Sequence, residues 1–172
     1  MTQSSHSNYL LNQQYKDGSR LSARGYLSAR FRTNPYGGFR WLFDHFRLPA
    51  ESRMLELGCG LGWLWRQNLD RISAGWDITL SDFSQGMLDE TKQNLHASSH
   101  PFQFAIVDAQ EIPYADGEFD AVIANHMLYH VPDRPKALAE IRRVLKPEGR
   151  LYASTLGKDH LREMGVFRVD GK

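Results

Sequence analysis

From about residue 51 onward the chain alternates two kinds of hydrophobic pattern. Short apolar runs of strand length fall at Arg53–Gly58, Asp77–Asp82, Phe102–Val107, Phe119–Ala124 and Arg150–Thr155. Phe119–Ala124 is apolar without a break, which suits a strand buried on both faces. Between these runs the spacing becomes helical. Trp63–Asp70 is one such stretch, and Met87, Leu88, Thr91 and Leu95 mark a second, with Ser84 placed to cap it. Ala137, Leu138, Ile141, Val144 and Leu145 form the stripe of a third, behind Asp133 as cap and Pro135 in the first turn, and Lys146-Pro147-Glu148-Gly149 is expected to stop it. Strands alternating with helices predict an α/β fold built on a doubly wound, mostly parallel sheet with helices on both faces.

The first 50 residues read differently. Met1–Asn8 is polar, and Tyr9–Phe46 has helical spacing with many arginines and aromatics. Asn34-Pro35-Tyr36-Gly37-Gly38 breaks this stretch in two, and Phe39–Phe46 forms a short helix before Pro49. The expected organisation is a helical arm over 1–50 and one compact domain over 51–172. The arm serves either as a lid, with Tyr15, Arg20 and Arg24 as its test residues, or as an amphipathic cover for a sheet edge. The cluster Arg30, Arg32 and Arg40 favours an anionic acceptor or is a solvated basic face.

Length and charge narrow the function. A chain of 172 residues makes one domain with a real core. A net charge of +1 gives no case for nucleic acid or an acidic membrane surface as partner. No apolar run is long enough to span a membrane, and the N-terminus lacks an apolar signal core. The single cysteine, Cys59, excludes an internal disulfide and fits a reducing cytoplasm. No histidine pair has metal spacing with a third ligand, so no metal is expected.

The candidate chemistry starts at Leu55-Glu56-Leu57-Gly58-Cys59-Gly60-Leu61-Gly62, a strand running into a glycine-rich turn with a helix behind it. Alternate glycines let the backbone turn tightly and a ligand approach closely. The new helix is expected to offer unpaired N–H groups to an anionic group. A dinucleotide fingerprint places its third glycine one residue later, where this chain has Trp63. Glu56 suits a cationic ligand better than a pyrophosphate.

Ligands of doubly wound sheets bind beyond the carboxyl ends of the strands, so the functional residues are expected just past each strand. The second strand ends in Asp82, about 20 residues past the glycine turn, where a carboxylate can accept ribose hydroxyls. Phe83 follows and can pack on an adenine face. Beyond the third strand come Asp108 and Ala109, where a carboxylate can take an adenine amino group. The fourth runs into Asn125-His126-Met127-Leu128-Tyr129-His130. Each also has a plain structural reading: Asp82 starts a turn, Asp108 caps a helix, Asn125 bonds a loop backbone. Their occurrence together at successive strand ends is what points to a site.

Over Arg53–Thr155 the sequence resembles the methyltransferase type 11 branch of the class I S-adenosylmethionine-dependent methyltransferases. The resemblance is carried by the glycine octet, Asp82-Phe83-Ser84 with Gly86-Met87-Leu88, Asp108-Ala109-Gln110 with Ile112-Pro113, Phe119-Asp120 leading to Asn125–His130, and Glu140–Gly149. It implies a Rossmann-like fold and S-adenosylmethionine as cofactor, with S-adenosylhomocysteine as product. It implies that Glu56, Gly58, Cys59 and Gly60 hold the methionine part, Asp82 the ribose, and Asp108 with Ala109 the adenine. Asn125 then sits beside the sulfonium, and Phe83 and Met87 complete the cofactor contacts. The expected acceptor is a small molecule. A base accelerates transfer to a hydroxyl or a protonated amine by about 10²–10⁴, and His126, Tyr129 and His130 are the candidates. They are equally readable as groups that shape the cleft.

Members of this family usually continue after the fifth strand with a helix and two more strands. Here Leu156–Lys172 is too short for these, so the last two strands are expected to be missing. The fifth strand then becomes a sheet edge, with Leu151, Ala153 and Thr155 in an open ladder, covered by the last residues or paired in a homodimer. Two other functions compete with methyl transfer: cofactor binding without turnover, favoured by the short C-terminus, and a nicotinamide-dependent oxidoreductase, opposed by the glycine spacing and Glu56.

Overall fold

The computed structural model describes residues 18–157, and of Arg20 and Ser28 the backbone alone. Two helices come first, α1 (Ser19–Phe31) and α2 (Gly38–Asp44). They are followed by β1 (Glu51–Leu57), α3 (Trp63–Arg66), a 3-10 turn at Leu69–Arg71, β2 (Gly75–Asp82) and α4 (Gln85–Leu95). Next are β3 (Gln103–Ile106), β4 (Phe119–Asn125), a 3-10 turn at Leu128–His130, α5 (Arg134–Val144) and β5 (Leu145–Ser154). The strands form one five-stranded sheet in the order β3-β2-β1-β4-β5, every pair parallel. The chain winds outward from β1 to β3, then returns to lay β4 beside β1. The switch in strand order therefore lies between β1 and β4, where such sheets bind ligands.

Successive strand residues face opposite sides of a sheet, and the two faces build two cores. Met54, Ile78, Leu80 and Ile123 pack with Leu64 and Trp65 of α3, Leu88 and Leu95 of α4, and Phe43 of α2. Leu55, Leu57 and Val122 pack with Ala137, Ile141 and Val144 of α5. Helices thus cover both faces, as the alternating pattern requires. The expected caps are in place: Ser84 Oγ accepts the Met87 N–H at 3.4 Å and Asp133 Oδ1 the Lys136 N–H at 3.0 Å.

Two elements depart from expectation. The helix after the glycine turn ends at Arg66 rather than Asp70. Asn68 is fully buried, and its Nδ2 donates to the Leu64 carbonyl at 2.7 Å and to that of Phe39 at 3.2 Å. The side chain thereby competes with the helical ladder and ends it. The fifth strand begins at Leu145, directly after α5, rather than at Arg150. Its register slips between Phe119 and Ala121, whose partners are Leu145 and Arg150. Lys146-Pro147-Glu148-Gly149 is thus taken up in a bulge, not a separate turn, and Lys146 Nζ holds it to both Asp120 oxygens at 2.8 Å.

Among the described residues β5 is an edge, with Leu151 38% exposed. The expectation concerning cover by the last residues falls on 158–172, outside the described residues.

Beyond β3, the loop 110–116 is fastened to α5 through Arg143, which pairs with Asp116 at 2.9 Å and with Glu140 at 2.7 Å. Glu140 Oε2 accepts the Ile112 N–H at 2.9 Å and pairs with Arg143, which in turn donates to the carbonyls of Ile112 and Tyr114. The Arg143 hydrogen bond and the Ile112 N–H hold the Glu140 carboxyl down at about 2, against an ordinary value of 4.5. A lowered carboxyl stabilises the fold above its unfolded value, and this contribution is lost as pH falls toward 2. Acid unfolding followed by circular dichroism is expected to show Glu140→Gln losing most stability near neutral pH and converging on wild type at pH 2–3. A constant difference across pH contradicts this.

Candidate functional site

All five strands are parallel, so their carboxyl ends share one side of the sheet. The glycine turn after β1 is built from left-handed residues. Gly58, Gly60 and Gly62 have φ of +68°, +57° and +68°. A side chain at Gly58 would place its Cβ 2.8 Å from Met127 Cβ, so the turn lies directly against the segment that leaves β4.

The turn is tied down from two elements. From β2, the Ser81 carbonyl accepts the Cys59 N–H at 2.8 Å and Asp82 Oδ2 accepts the Gly60 N–H at 3.0 Å. From α4, Thr91 Oγ1 donates to the Gly60 carbonyl at 2.5 Å and Asn94 Nδ2 to that of Leu61 at 3.1 Å. Sequence reading did not single out Thr91 or Asn94 for this task. The available signal was two polar residues three apart on a helix running back past the turn. Helix α3 is a single turn of four residues, so the expected anion site at its N-terminus is not formed as a helix-end site.

Asp82 holds both sides of its own strand end. Besides Gly60, it accepts the Ser84 N–H on Oδ1 at 2.9 Å. Burial pushes its carboxyl above the usual range, opposed by these backbone donors. Phe83 beside it is 40% exposed. Asp108 accepts the Gln110 N–H at 2.8 Å and the Gln110 side-chain amide at 3.1 Å.

Glu56 lies underneath, 3% exposed, with Oε2 accepting the Trp65 indole N–H at 2.6 Å. Burial, with Asp82 nearby, pushes its carboxyl up to about 7 from 4.5. A raised carboxyl favours the fold below its unfolded value, and that contribution is lost as pH rises from 4.5 through 7. Glu56→Gln, which keeps an acceptor for the indole, is therefore expected to raise the melting temperature at pH 8 more than at pH 5.5. An equal shift at both values contradicts this account of Glu56.

Three other expected cofactor residues have buried side chains. Cys59 is 8%, Met87 1% and Ala109 5% exposed. Cys59 and Ala109 can offer a ligand only backbone atoms. Met87 is turned inward with Leu88, Thr91 and Leu95 by the helical period of α4. Burial also raises the Cys59 thiol well above its ordinary value, which removes it as a nucleophile.

At the end of β4, Asn125 Oδ1 accepts the Ser154 hydroxyl at 3.0 Å, while its buried Nδ2 has no partner. His126 follows at φ +53°, the one non-glycine residue with positive φ among the described residues. Strain of this kind clusters at functional sites. Tyr129, 40% exposed, packs against His130 with ring centroids 4.3 Å apart and planes tilted by 54°. All three base candidates thus lie in the segment leaving β4. Among the described residues no cluster of three or more metal-ligating side chains occurs.

Helix α1 lies across this end of the sheet. The Gly18 N–H donates to Glu90 at 2.5 Å, Leu21 Cδ2 lies 3.1 Å from where a Gly60 Cβ would stand, and Gly25 admits the Trp63 ring against the helix backbone. Tyr15 lies outside the described residues, as does the Arg20 side chain. Among the described residues no helix is long and apolar enough to cross a membrane.

The methyltransferase domain family matches residues 55–153 by its sequence profile. The chain belongs to that family. The malonyl-acyl-carrier-protein O-methyltransferase of Erwinia pyrifoliae is 33% identical over 128 residues, 73% of this chain and 45% of the relative. The ubiquinone/menaquinone biosynthesis C-methyltransferase UbiE of Desulfotalea psychrophila is 35% identical over 102 residues, covering 59% and 40%. This methyltransferase-family chain therefore spans less than half the length of these relatives. Among solved structures, the cyclase SpnF matches with a TM-score of 0.59 at 30% identity, covering 66% of this chain and 42% of that one. A phosphoethanolamine N-methyltransferase from Haemonchus contortus shares the fold, with a TM-score of 0.71 at 23% identity over 93% of this chain and 39% of that one.

Proposed function

We propose that this chain is an S-adenosylmethionine-dependent methyltransferase acting on a small-molecule acceptor in a reducing, cytoplasmic setting. The observation that carries the reading is the glycine turn tied to Asp82 at the strand-order switch. The residues present suit the cofactor: the turn is built from left-handed glycines without side chains, Asp82 lies one strand away, and Asn125 at the end of β4 keeps a buried amide N–H without a partner. When bound, the cofactor supplies a methyl group on a sulfonium leaving group.

The chain's own task is to bind, align and exclude water. Asp82 takes the ribose hydroxyls, and Asp108 with the Ala109 backbone takes the adenine edge against Phe83. Glu56 and the glycine turn hold the cationic amino-acid end. The arm over 1–50 acts as the lid, with α1 excluding water from the turn. Aligning two bound reactants lowers the barrier by about 7–11 kcal/mol, so a base is an addition rather than a requirement. His126, Tyr129 or His130 supplies it where the acceptor carries a proton. Relatives named for malonyl-carrier-protein O-methylation and for quinone C-methylation set the first acceptors to offer: a malonyl thioester and a demethylated quinol. Transfer of labelled methyl to either supports the reading.

The second reading is cofactor binding without turnover. One finding favours it: a cyclase is among its structural neighbours. Retained S-adenosylhomocysteine binding with no transfer to any acceptor decides for it. We further propose homodimer pairing through the β5 edge. Light scattering on a size-exclusion column tests this, and a monomer at all concentrations removes it.

A further inference from the structure

We propose that Ser154, at the carboxyl end of β5, is a positioning residue that turns the Asn125 amide so that its N–H faces the methionyl carboxylate of the cofactor. The proposal rests on the cofactor reading above. Ser154 and Asn125 are register partners on β5 and β4. Ser154 grips the end of β4 twice: its hydroxyl donates to Asn125 Oδ1 at 3.0 Å, and its carbonyl accepts the His126 N–H at 3.0 Å. The second bond steadies the left-handed turn at His126, φ +53°.

The first bond decides which end of the amide is offered to a ligand. With Oδ1 engaged, the buried Nδ2 is left without a partner. Buried amide groups are almost always paired, and an exception calls for a ligand or a role. The orphan ends β4, two residues before Met127, whose Cβ lies 2.8 Å from the Cβ position of Gly58. An amide N–H is a donor only. The ammonium of the cofactor offers it no lone pair and the positively charged sulfonium sulfur is a poor acceptor, whereas the carboxylate at the same end accepts readily. Ser154 also lies where the strand-end rule, applied to the fifth strand, would have found it.

The test is calorimetric titration with two probes, S-adenosylhomocysteine and 5′-methylthioadenosine, which shares the adenosine and thioether but lacks the amino-acid tail. Ser154→Val keeps the shape of Ser154→Thr without its hydroxyl. The expected result is that Ser154→Val weakens S-adenosylhomocysteine by about 10-fold, the scale of one hydrogen bond to a charged group, and leaves methylthioadenosine unchanged. Ser154→Thr restores the loss. Asn125→Asp, which sets a carboxylate against a carboxylate, weakens S-adenosylhomocysteine more than Asn125→Ala does. Equal weakening of both probes by Ser154→Val reduces Ser154 to a structural residue and overturns the proposal, as does no weakening of either. Asn125→Asp binding S-adenosylhomocysteine as tightly as wild type overturns it too, because Oδ1 would then face a cation. A folded wild-type chain that binds neither probe removes the cofactor reading itself, and the proposal with it.

Discussion

Replacing Asp82 with alanine is expected to lower affinity for S-adenosylhomocysteine by about 100-fold. The carboxylate has two tasks at one strand end. It accepts the Gly60 and Ser84 N–H groups, at 3.0 and 2.9 Å, and so holds the glycine turn and the start of α4 in place. Its remaining lone pairs take the ribose hydroxyls in the proposed complex. Two hydrogen bonds to a charged group contribute about 3 kcal/mol together, which corresponds to about 100-fold in affinity. Calorimetry on the wild type and Asp82→Ala checks this. A variant that melts like wild type and binds within threefold of it would remove Asp82 from the cofactor site.

The second large effect belongs to Gly58→Ala. Gly58 sits at φ +68°, and the new methyl group would stand 2.8 Å from Met127 Cβ. The left-handed conformation costs about 1–2 kcal/mol for a residue with a Cβ. Overpacking against a neighbour fixed by its own backbone adds about 1–3 kcal/mol. A loss of about 2–5 kcal/mol corresponds to a fall in melting temperature of roughly 5–15 °C at this size. S-adenosylhomocysteine binding is expected to fail as well, because relief comes only by parting the glycine turn from the segment after β4. Gly38→Ala is the control: a Cβ there meets nothing within 4 Å, and its φ is not left-handed. Thermal melts of the two variants are expected to separate by most of that range, and equal melting temperatures would contradict the close approach.

What the sequence made legible was local or periodic. Apolar runs placed all five strands, and Ser84 and Asp133 marked helix starts because capping joins residues three apart. Asp82 and Asn125 were reachable because parallel strands put every carboxyl end on one side. What stayed hidden depends on pairing across long separations. Nothing near Glu56 tells that its carboxylate turns to the Trp65 indole and is pushed up to about 7. Nothing near Asn125 announces Ser154, 29 residues on. Lys146-Pro147-Glu148-Gly149 reads as a stop signal whether a turn or a bulged strand follows, and only the pairing of Phe119 with Leu145 distinguishes them. The inward placement of Met87 on α4 follows from its spacing with Leu88, Thr91 and Leu95, whereas its contact to a cofactor rests on the motif match alone.

We propose that the glycine turn and Asp82 form a site for S-adenosylmethionine rather than for a dinucleotide. Parallel calorimetric titrations of the wild-type chain with S-adenosylhomocysteine and with NAD test it most directly. Micromolar binding of S-adenosylhomocysteine and no heat with NAD are expected. A folded chain that is silent toward S-adenosylhomocysteine, or that prefers NAD, would contradict it.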